Sequence, residues 1–417
     1  MFELIRANKM KSGLLICVMS ALLVVLGYAI GRVWMGPEGG IAGVVLAAMV
    51  AVVLTLIAYF AGDKAMLTMS RARQIEKKDH PQLFNVVEEM AIASGQAMPK
   101  IYIIDDTALN AFATGRKAEN ASVAITSGLL AKLNRDELQG VIAHELGHIK
   151  NRDILFMTLA GILLGSIALL ADLFLRSMWF GGGRRRRRSS KGGGAEAVFM
   201  IVGILLAILA PIVARLLYLA CSRRREYLAD ASAAIFTRYP DGLASALEKI
   251  SGDREVLEVA NRATAPMYIV HPIKAFEKRA KGLMSTHPPT EERIAILRSM
   301  GKSASLTDYE RAFAQHHKGG HVVPRSALAD AKPVAARAAS AQPTANETPE
   351  ARLRRAHGAL DMVRRLHGFL FLTCACGARL KIPPTYSKAE VRCPRCGAAS
   401  RTADAKPGED EPAPASS

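Results

Sequence analysis

Acidic side chains are in short supply in this chain. Its 37 Asp and Glu stand against 55 Lys and Arg, a formal net charge of +18 over 417 residues. Such a deficit fits nucleic acid or an anionic membrane surface. Lys and Arg also collect beside membrane spans, so charge alone does not favour nucleic acid. Charge of either sign is missing from Gly13–Gly31 and again from Gly39–Gly62, which is uncharged over 24 residues. Both runs are long enough to cross about 30 Å of hydrocarbon. The first follows Arg6, Lys9 and Lys11, as a signal peptide would. It lacks a clear small-residue cleavage site and is longer than a signal-peptide core, so it reads as an uncleaved anchor. With 50% hydrophobic residues and a mean hydropathy of +0.15, the composition excludes an ordinary soluble protein.

Ile154–Ala171 and Ala197–Ala214 are each 18 uncharged residues, the second containing Pro211. That length sits at the usual threshold, so the pair reads either as buried core helices or, preferably, as helices that span or embed deeply in the membrane. Basic residues precede the first span (Arg6, Lys9, Lys11) and follow the second (Lys64, Arg71, Arg73, Lys77, Lys78), and Arg32 alone lies between. The positive-inside rule then puts the N-terminus and the region after residue 63 in the cytoplasm.

The expected organisation is a transmembrane hairpin (1–62), a first mixed α/β part (63–153), a second hydrophobic hairpin with an Arg-rich loop (154–220) and a largely helical second part (221–315). A disordered linker rich in Ala, Pro, Ser and Thr (316–349), a basic helix with a cysteine module (350–400) and a disordered tail (401–417) complete it. In the first part, "HPQLFNVVEEMAIASG" (80–95) has helical spacing, and "KIYIID" (100–105) reads as a buried strand. "NAFATG" (110–115) and "ASVAIT" (121–126) read as two more strands about a polar turn.

"HELGH" (144–148) follows, in a helix whose start is marked by Asn134 and Glu137. At 100° per residue, His144 and His148 point about 40° apart and can reach one metal ion. Leu138, Ile142, Leu146 and Ile149 line an adjacent apolar face, and Glu145 projects beside the histidines. Two histidines with one carboxylate form a set that leaves one zinc position open for water, which Glu145 can hold. The third ligand is not determined by composition: Glu226, Asp230, His271 and His287 are all candidates. In "EYLAD" (226–230), Glu226 and Asp230 stand one turn apart; one could bind metal and the other orient a histidine.

"HELGHIKNRD", a hydrophobic pair, "EYLAD", "NAFATG" and "THPPTEERI" (286–294), in that order over roughly residues 1–300, resemble the HtpX-type membrane zinc metalloproteases, relatives of the CAAX prenyl proteases. The resemblance implies a gluzincin: zinc held by His144, His148 and Glu226, Glu145 as general base, and Asp230 supporting a ligand. It implies a mainly α-helical integral membrane protein with a small β-sheet in a zincin-like domain, facing the cytoplasm from the inner membrane. It further implies hydrolysis of peptide bonds in misfolded or damaged membrane proteins, as envelope quality control. His287 and Arg293 are candidate oxyanion contacts. Asn110, Ala111 and Phe112 of "NAFATG", or the neighbouring "ASVAIT", are candidate edge-strand contacts to an extended substrate.

Cys374 and Cys376, then Cys393 and Cys396, resemble a small zinc ribbon, the first pair being C-x-C rather than the commoner C-x₂-C. In a reducing cytoplasm four such cysteines favour a second, structural zinc over disulfides. The ribbon's partner is unknown, and nucleic acid is disfavoured by the four apolar segments. A non-catalytic membrane adaptor that recruits a partner through the ribbon is the alternative to a peptidase. Finally, "GGGRRRRRSSKGGG" (181–194) lies between the third and fourth apolar segments. His144 and Glu226 flank that hairpin and must lie on one side to share a metal, so either the hairpin is partly embedded or packed at the membrane surface with its loop cytoplasmic, or, preferably, the loop reaches or crosses the far interface against the positive-inside rule.

Overall fold

The computed structural model describes residues 2–36, 38–115, 118–185, 194–253, 255, 257, 268–270, 287–317, 320–323, 325–329, 334–340 and 349–407. Two long apolar helices, α1 (Phe2–Met35) and α2 (Gly39–Met69), form the first hairpin. They cross at backbone contact. A Cβ on Gly43 would lie 2.1 Å from the Gly27 carbonyl oxygen, and one on Gly31 would lie 2.2 Å from that of Gly39. Small residues allow this closeness, which is how helices associate where no hydrophobic drive exists between them. Gly43→Val is therefore expected to part the hairpin and cost about 1–3 kcal/mol. Thermal unfolding in detergent would show it, against Gly62→Ala as control, since a Cβ there meets nothing within 4 Å.

The second hairpin is longer than its uncharged cores. α6 runs Asp153–Arg185 and α7 runs Gly194–Thr237 without a break at Pro211. Among the described residues, four helical stretches are long and apolar enough to cross a membrane: 13–35, 39–69, 153–178 and 198–237. α1, α6 and α7 share an apolar core that includes Leu23, Leu26, Ile167 and Phe174, while Leu173, Leu205, Leu209 and Ile212 face outward. Apolar side chains on the outside and a packed seam within are what a bundle in lipid requires. The arginine run from Arg186 to Arg188, with Ser189 and Lys191, lies outside the described residues.

Between the hairpins, α3 (Pro81–Ser94) is capped by the His80 Nδ1, which accepts the Leu83 N–H, and ends at Gly95 with φ 66°. A four-stranded sheet follows the order β1-β2-β4-β3, with β1 Arg73–Gln74, β2 Lys100–Ile104, β3 Ala111–Thr114 and β4 Ser122–Thr126. β2 and β4 are parallel, and β3 and β4 antiparallel. "ASVAIT" is thus an interior strand, flanked on both sides, and cannot offer an edge to substrate, whereas β3 stands at the end of the order.

After α4 (Ser127–Lys132) comes α5 (Arg135–Lys150), which carries the HELGH motif. Asn134 and Glu137 cap it reciprocally, at 3.0 and 2.8 Å. α8 (Pro240–Gly252), α9 (Thr290–Ser299) and α10 (Leu306–His316) complete the helical layer.

The expectation of a disordered linker over 316–349 is corrected in its described parts. Val322 and Val323 are buried, with their N–H groups donating to Glu310 at 3.3 and 2.8 Å. α11 (Arg325–Ala329) follows, and Ser303 pairs with Ala335. This segment has no apolar period to read, because its order comes from partners on other elements. α12 (Pro349–Leu366) buries Ala359, Met362 and Val363 in the same core as α5, so the basic helix is docked rather than free. The cysteine module has β5 (Leu370–Thr373), β6 (Arg379–Ile382), β7 (Glu390–Arg392), β8 (Ala399–Arg401) and β9 (Lys406–Pro407). β9 pairs with β5, so residues 401–407 belong to the module and not to a disordered tail.

Candidate active site

The two helices that bear the site touch closely. A Cβ on Gly147 of α5 would lie 3.3 Å from the Ala229 Cα and 3.1 Å from the Ser232 Cβ of α7. This contact brings Glu226, 78 positions beyond His148 in sequence, to the histidines. One ligand atom each of His144, His148 and Glu226 lies within 4.8 Å of the others. His144 Nε2 and His148 Nε2 face each other at 3.1 Å, 3.5 and 3.4 Å from the Glu226 carboxylate oxygens.

The other face of each imidazole decides its protonation. His144 Nδ1 lies 2.9 Å from Asp230 Oδ1, and His148 Nδ1 lies 3.0 Å from Asp153 Oδ2. An Nδ1–H donated to each aspartate leaves Nε2 as the atom turned towards a metal. The two Nε2 atoms face one another beside the Glu226 carboxylate, whose buried Oε2 makes no hydrogen bond and lies 3.4 Å from Arg293 Nη1. Such a set is satisfied by a cation. Nitrogens about 2.1 Å from a tetrahedral zinc stand a little over 3 Å apart, which these residues match. Burial alone would depress the His148 imidazolium, yet Glu226 and Asp153 outweigh it and hold the ring well above its ordinary range. The pocket thus favours positive charge.

Each aspartate is itself held by a buried arginine. Arg293 donates from Nε and Nη2 to Asp230, both at 2.8 Å, and from Nη1 to the Ile269 carbonyl at 3.0 Å. Arg225 bonds Asp153. Asp153 was not singled out in the sequence. It sits five residues after His148, and Arg152, with φ 57°, turns the chain so that the first residue of α6 reaches back to the ring. The "NRD" after the motif is the only linear sign of it. Arg293, an oxyanion candidate from the sequence, has its guanidinium engaged with Asp230 through these bonds. His287 is buried, within electrostatic reach of Glu226. His271 lies outside the described residues.

Glu145 is 2% exposed and lies beside β3, near the Ala113 backbone N–H. Burial pushes its carboxyl up, against the pull of the two histidines. The edge-strand contacts named from the sequence shift in turn. Phe112 points to the opposite face of the sheet, edge-on to Tyr268 with centroids 5.3 Å apart. The Asn110 side chain bonds the Val270 carbonyl at 3.0 Å, and the Ala111 carbonyl accepts the Ile269 N–H at 3.0 Å. Strand alternation alone would have assigned Phe112 away from Ala111 and Ala113.

In the C-terminal module, the four cysteines converge. Cys374 Sγ and Cys396 Sγ are 3.5 Å apart, and Cys376 Sγ and Cys393 Sγ are 3.7 Å apart, with no disulfide among the four. Sulfurs about 2.3 Å from a tetrahedral zinc lie about 3.8 Å apart, close to what is found. Two matching turns present them: Gly377 (φ 81°) donates to Cys374 and Gly397 (φ 73°) to Cys393. Backbone N–H groups of Cys396 and Arg395 draw the Cys393 thiol down to about 7, towards thiolate.

The profile of Peptidase family M48 matches residues 77–301. A "Protease HtpX homolog" of Dictyoglomus thermophilum is 45% identical over 309 residues, 74% of this chain and 98% of the relative. Those of Caldanaerobacter subterraneus subsp. tengcongensis and Streptococcus uberis are 45% and 42% identical, each over 72% of this chain and 98% and 100% of the relative. The crystal structure of S. mikatae Ste24p aligns at a TM-score of 0.39 and 22% identity, over 71% of this chain and 67% of that one. With HELGH on α5, Glu226 on α7 and four apolar helices among the described residues, the chain belongs to peptidase family M48, as a membrane zinc metalloprotease of the HtpX type.

Proposed function

We propose that the chain is an endopeptidase whose zinc is held by His144, His148 and Glu226, and whose substrates are misfolded or damaged membrane proteins. The observation that carries this reading is the convergence of His144 Nε2, His148 Nε2 and the Glu226 carboxylate, with Glu145 next to them. Zinc, when bound there, supplies Lewis acidity and a more acidic water. Glu145 takes the water's proton and passes it to the leaving amine nitrogen. Asp230 and Asp153 keep the histidines in the Nδ1–H form throughout. The open edge of β3 beyond Ala111 pairs with an extended substrate backbone. That strand lies near the bilayer end of α2, as Thr114 donates to Asp63 at 3.3 Å, which favours substrates close to a membrane.

The catalytic part faces the cytoplasm of the inner membrane, as the basic flanks of the first hairpin support. α6 and α7 reach the far interface; a cysteine at Ser189 labelled from outside the cell would show it, and labelling from inside alone would exclude it. The deciding assay is cleavage of an unfolded membrane protein by detergent-purified protein. Activity abolished by a zinc chelator and restored by zinc is expected; chelator-resistant activity would exclude this mechanism, and no activity at any zinc level would favour a non-catalytic adaptor.

The second zinc sits among Cys374, Cys376, Cys393 and Cys396. Cys393→Ser is expected to lower the zinc content by one equivalent in elemental analysis, while His148→Ala lowers it by one independently. An unchanged content in the cysteine variant would remove the second site.

A further inference from the structure

Residues 334–340 lie beyond the stretch that matches the peptidase family, yet they bond both helices that carry the site. Arg337 is central. Its Nη2 donates to Asp136 Oδ1 and to Gln139 Oε1, each at 2.7 Å, in the first turns of α5. Its Nε donates at 3.0 Å to the carbonyl of Thr237, the last residue of α7, and its backbone N–H at 2.8 Å to that of Arg238. The guanidinium lies over the Tyr239 ring, 4.9 Å from its centroid. Ser340 donates its N–H and hydroxyl to Asp136 at 2.9 and 2.6 Å.

The physics of helix ends explains the choice of groups. An acid at the start of α5 and a cation at the end of α7 each complement the local dipole, and the last carbonyls of α7 have no partner within the helix. One guanidinium serves both ends, and its planar fork fixes their distance and angle as a lysine could not. The helices are stiff. At about 1.5 Å per residue, His144 lies about 12 Å from Asp136, and Asp230 about 10 Å from Thr237. A tilt of about 5° at that clamp would move a ligand by about 1 Å, enough to matter at a reacting centre.

We propose that Arg337 is a positioning residue of the metal site, holding the start of α5 to the end of α7 so that His144, His148 and Glu226 keep their spacing. This rests on the reading that those three residues bind zinc. Arg337 acts through the two helices and not by touching the reacting atoms. A stretch that reads as a linker thereby becomes part of the enzyme's working frame.

The test uses the full-length, zinc-loaded protein in detergent. Arg337→Met is compared with wild type, with Arg337→Lys, and with Arg298→Met, which removes an exposed ion pair to Asp241 and Glu248. Chelator competition is expected to show zinc held roughly 10–100-fold more weakly in Arg337→Met, in the range seen when groups behind a ligand are removed. On an unfolded membrane substrate kcat falls by a similar factor while KM stays within about twofold, the pattern of a lost transition-state contribution. Arg337→Lys fails to restore either, and Arg298→Met behaves as wild type. A lower melting temperature with unchanged zinc affinity and kcat would overturn the proposal. Should Arg337→Met not fold, Ser340→Ala removes a single bond to Asp136; its zinc affinity is expected to fall measurably, and an unchanged value would count equally against the proposal. A wild-type zinc content insensitive to His148→Ala would instead overturn the metal-site reading.

Discussion

Glu145→Gln is expected to bind zinc as the wild type does and to cleave its substrate roughly 10²–10⁴-fold more slowly, the usual contribution of a general acid–base. Glutamine is nearly isosteric and keeps the place of Glu145 beside β3. Packing at this 2% exposed position is therefore kept. What is lost is the capacity to take a proton from water and return it to the departing nitrogen. The zinc ligands are not touched, so elemental analysis should give the wild-type content. Cleavage at an undiminished rate would remove Glu145 from the mechanism. A simultaneous loss of zinc would mean that the carboxylate helps to hold the metal rather than to move a proton.

Arg293→Met is expected to be the most damaging substitution away from the ligands. Arg293 is 1% exposed and Asp230 is fully buried, joined by two bonds of 2.8 Å. Removing one partner of a buried pair leaves the other charge uncompensated, at about 3–5 kcal/mol. The harm does not stop at stability. Asp230 Oδ1 lies 2.9 Å from His144 Nδ1, where the proposed reading has it orient the ring, and Arg293 Nη1 also lies 3.4 Å from Glu226. Zinc affinity should therefore fall by roughly 10–100-fold as well. Arg293→Lys should rescue little, because an ammonium cannot match the bidentate geometry. Thermal unfolding in detergent, with and without added zinc, separates the two effects. Zinc should recover part of the lost melting temperature, since a ligand that binds the native state stabilises it. A variant as stable as wild type that keeps its zinc would show the clamp to be dispensable.

The two His–Asp–Arg chains differ in how visible they were. Asp230 stands one turn from Glu226 in "EYLAD", and helical spacing alone put both on one face. Asp153 is tied to His148 by a left-handed Arg152 and a helix start, a local backbone choice that no periodicity announces. Arg225 and Arg293 looked like members of a basic run and of a helix after a Pro-rich turn. Burial beside an aspartate is what made each of them structural.

The sequence by itself determined the spans, the motif helix and the cysteine module. These depend on short-range regularities: uncharged runs of bilayer length, a two-histidine spacing on a helix, a capping pair at Asn134 and Glu137, and paired thiols. Only the tertiary structure decided which strand has a free edge, which arginine holds which aspartate, and that residues 334–340 are bound rather than loose. Each of those outcomes depends on partners far apart in the chain. Arg337 and Asp136 are 201 positions apart, and Arg293 and Asp230 are 63 apart. A charged side chain carries no mark of its partner; it is the low dielectric of a packed interior that forces the pairing, and that interior exists only once the helices have met.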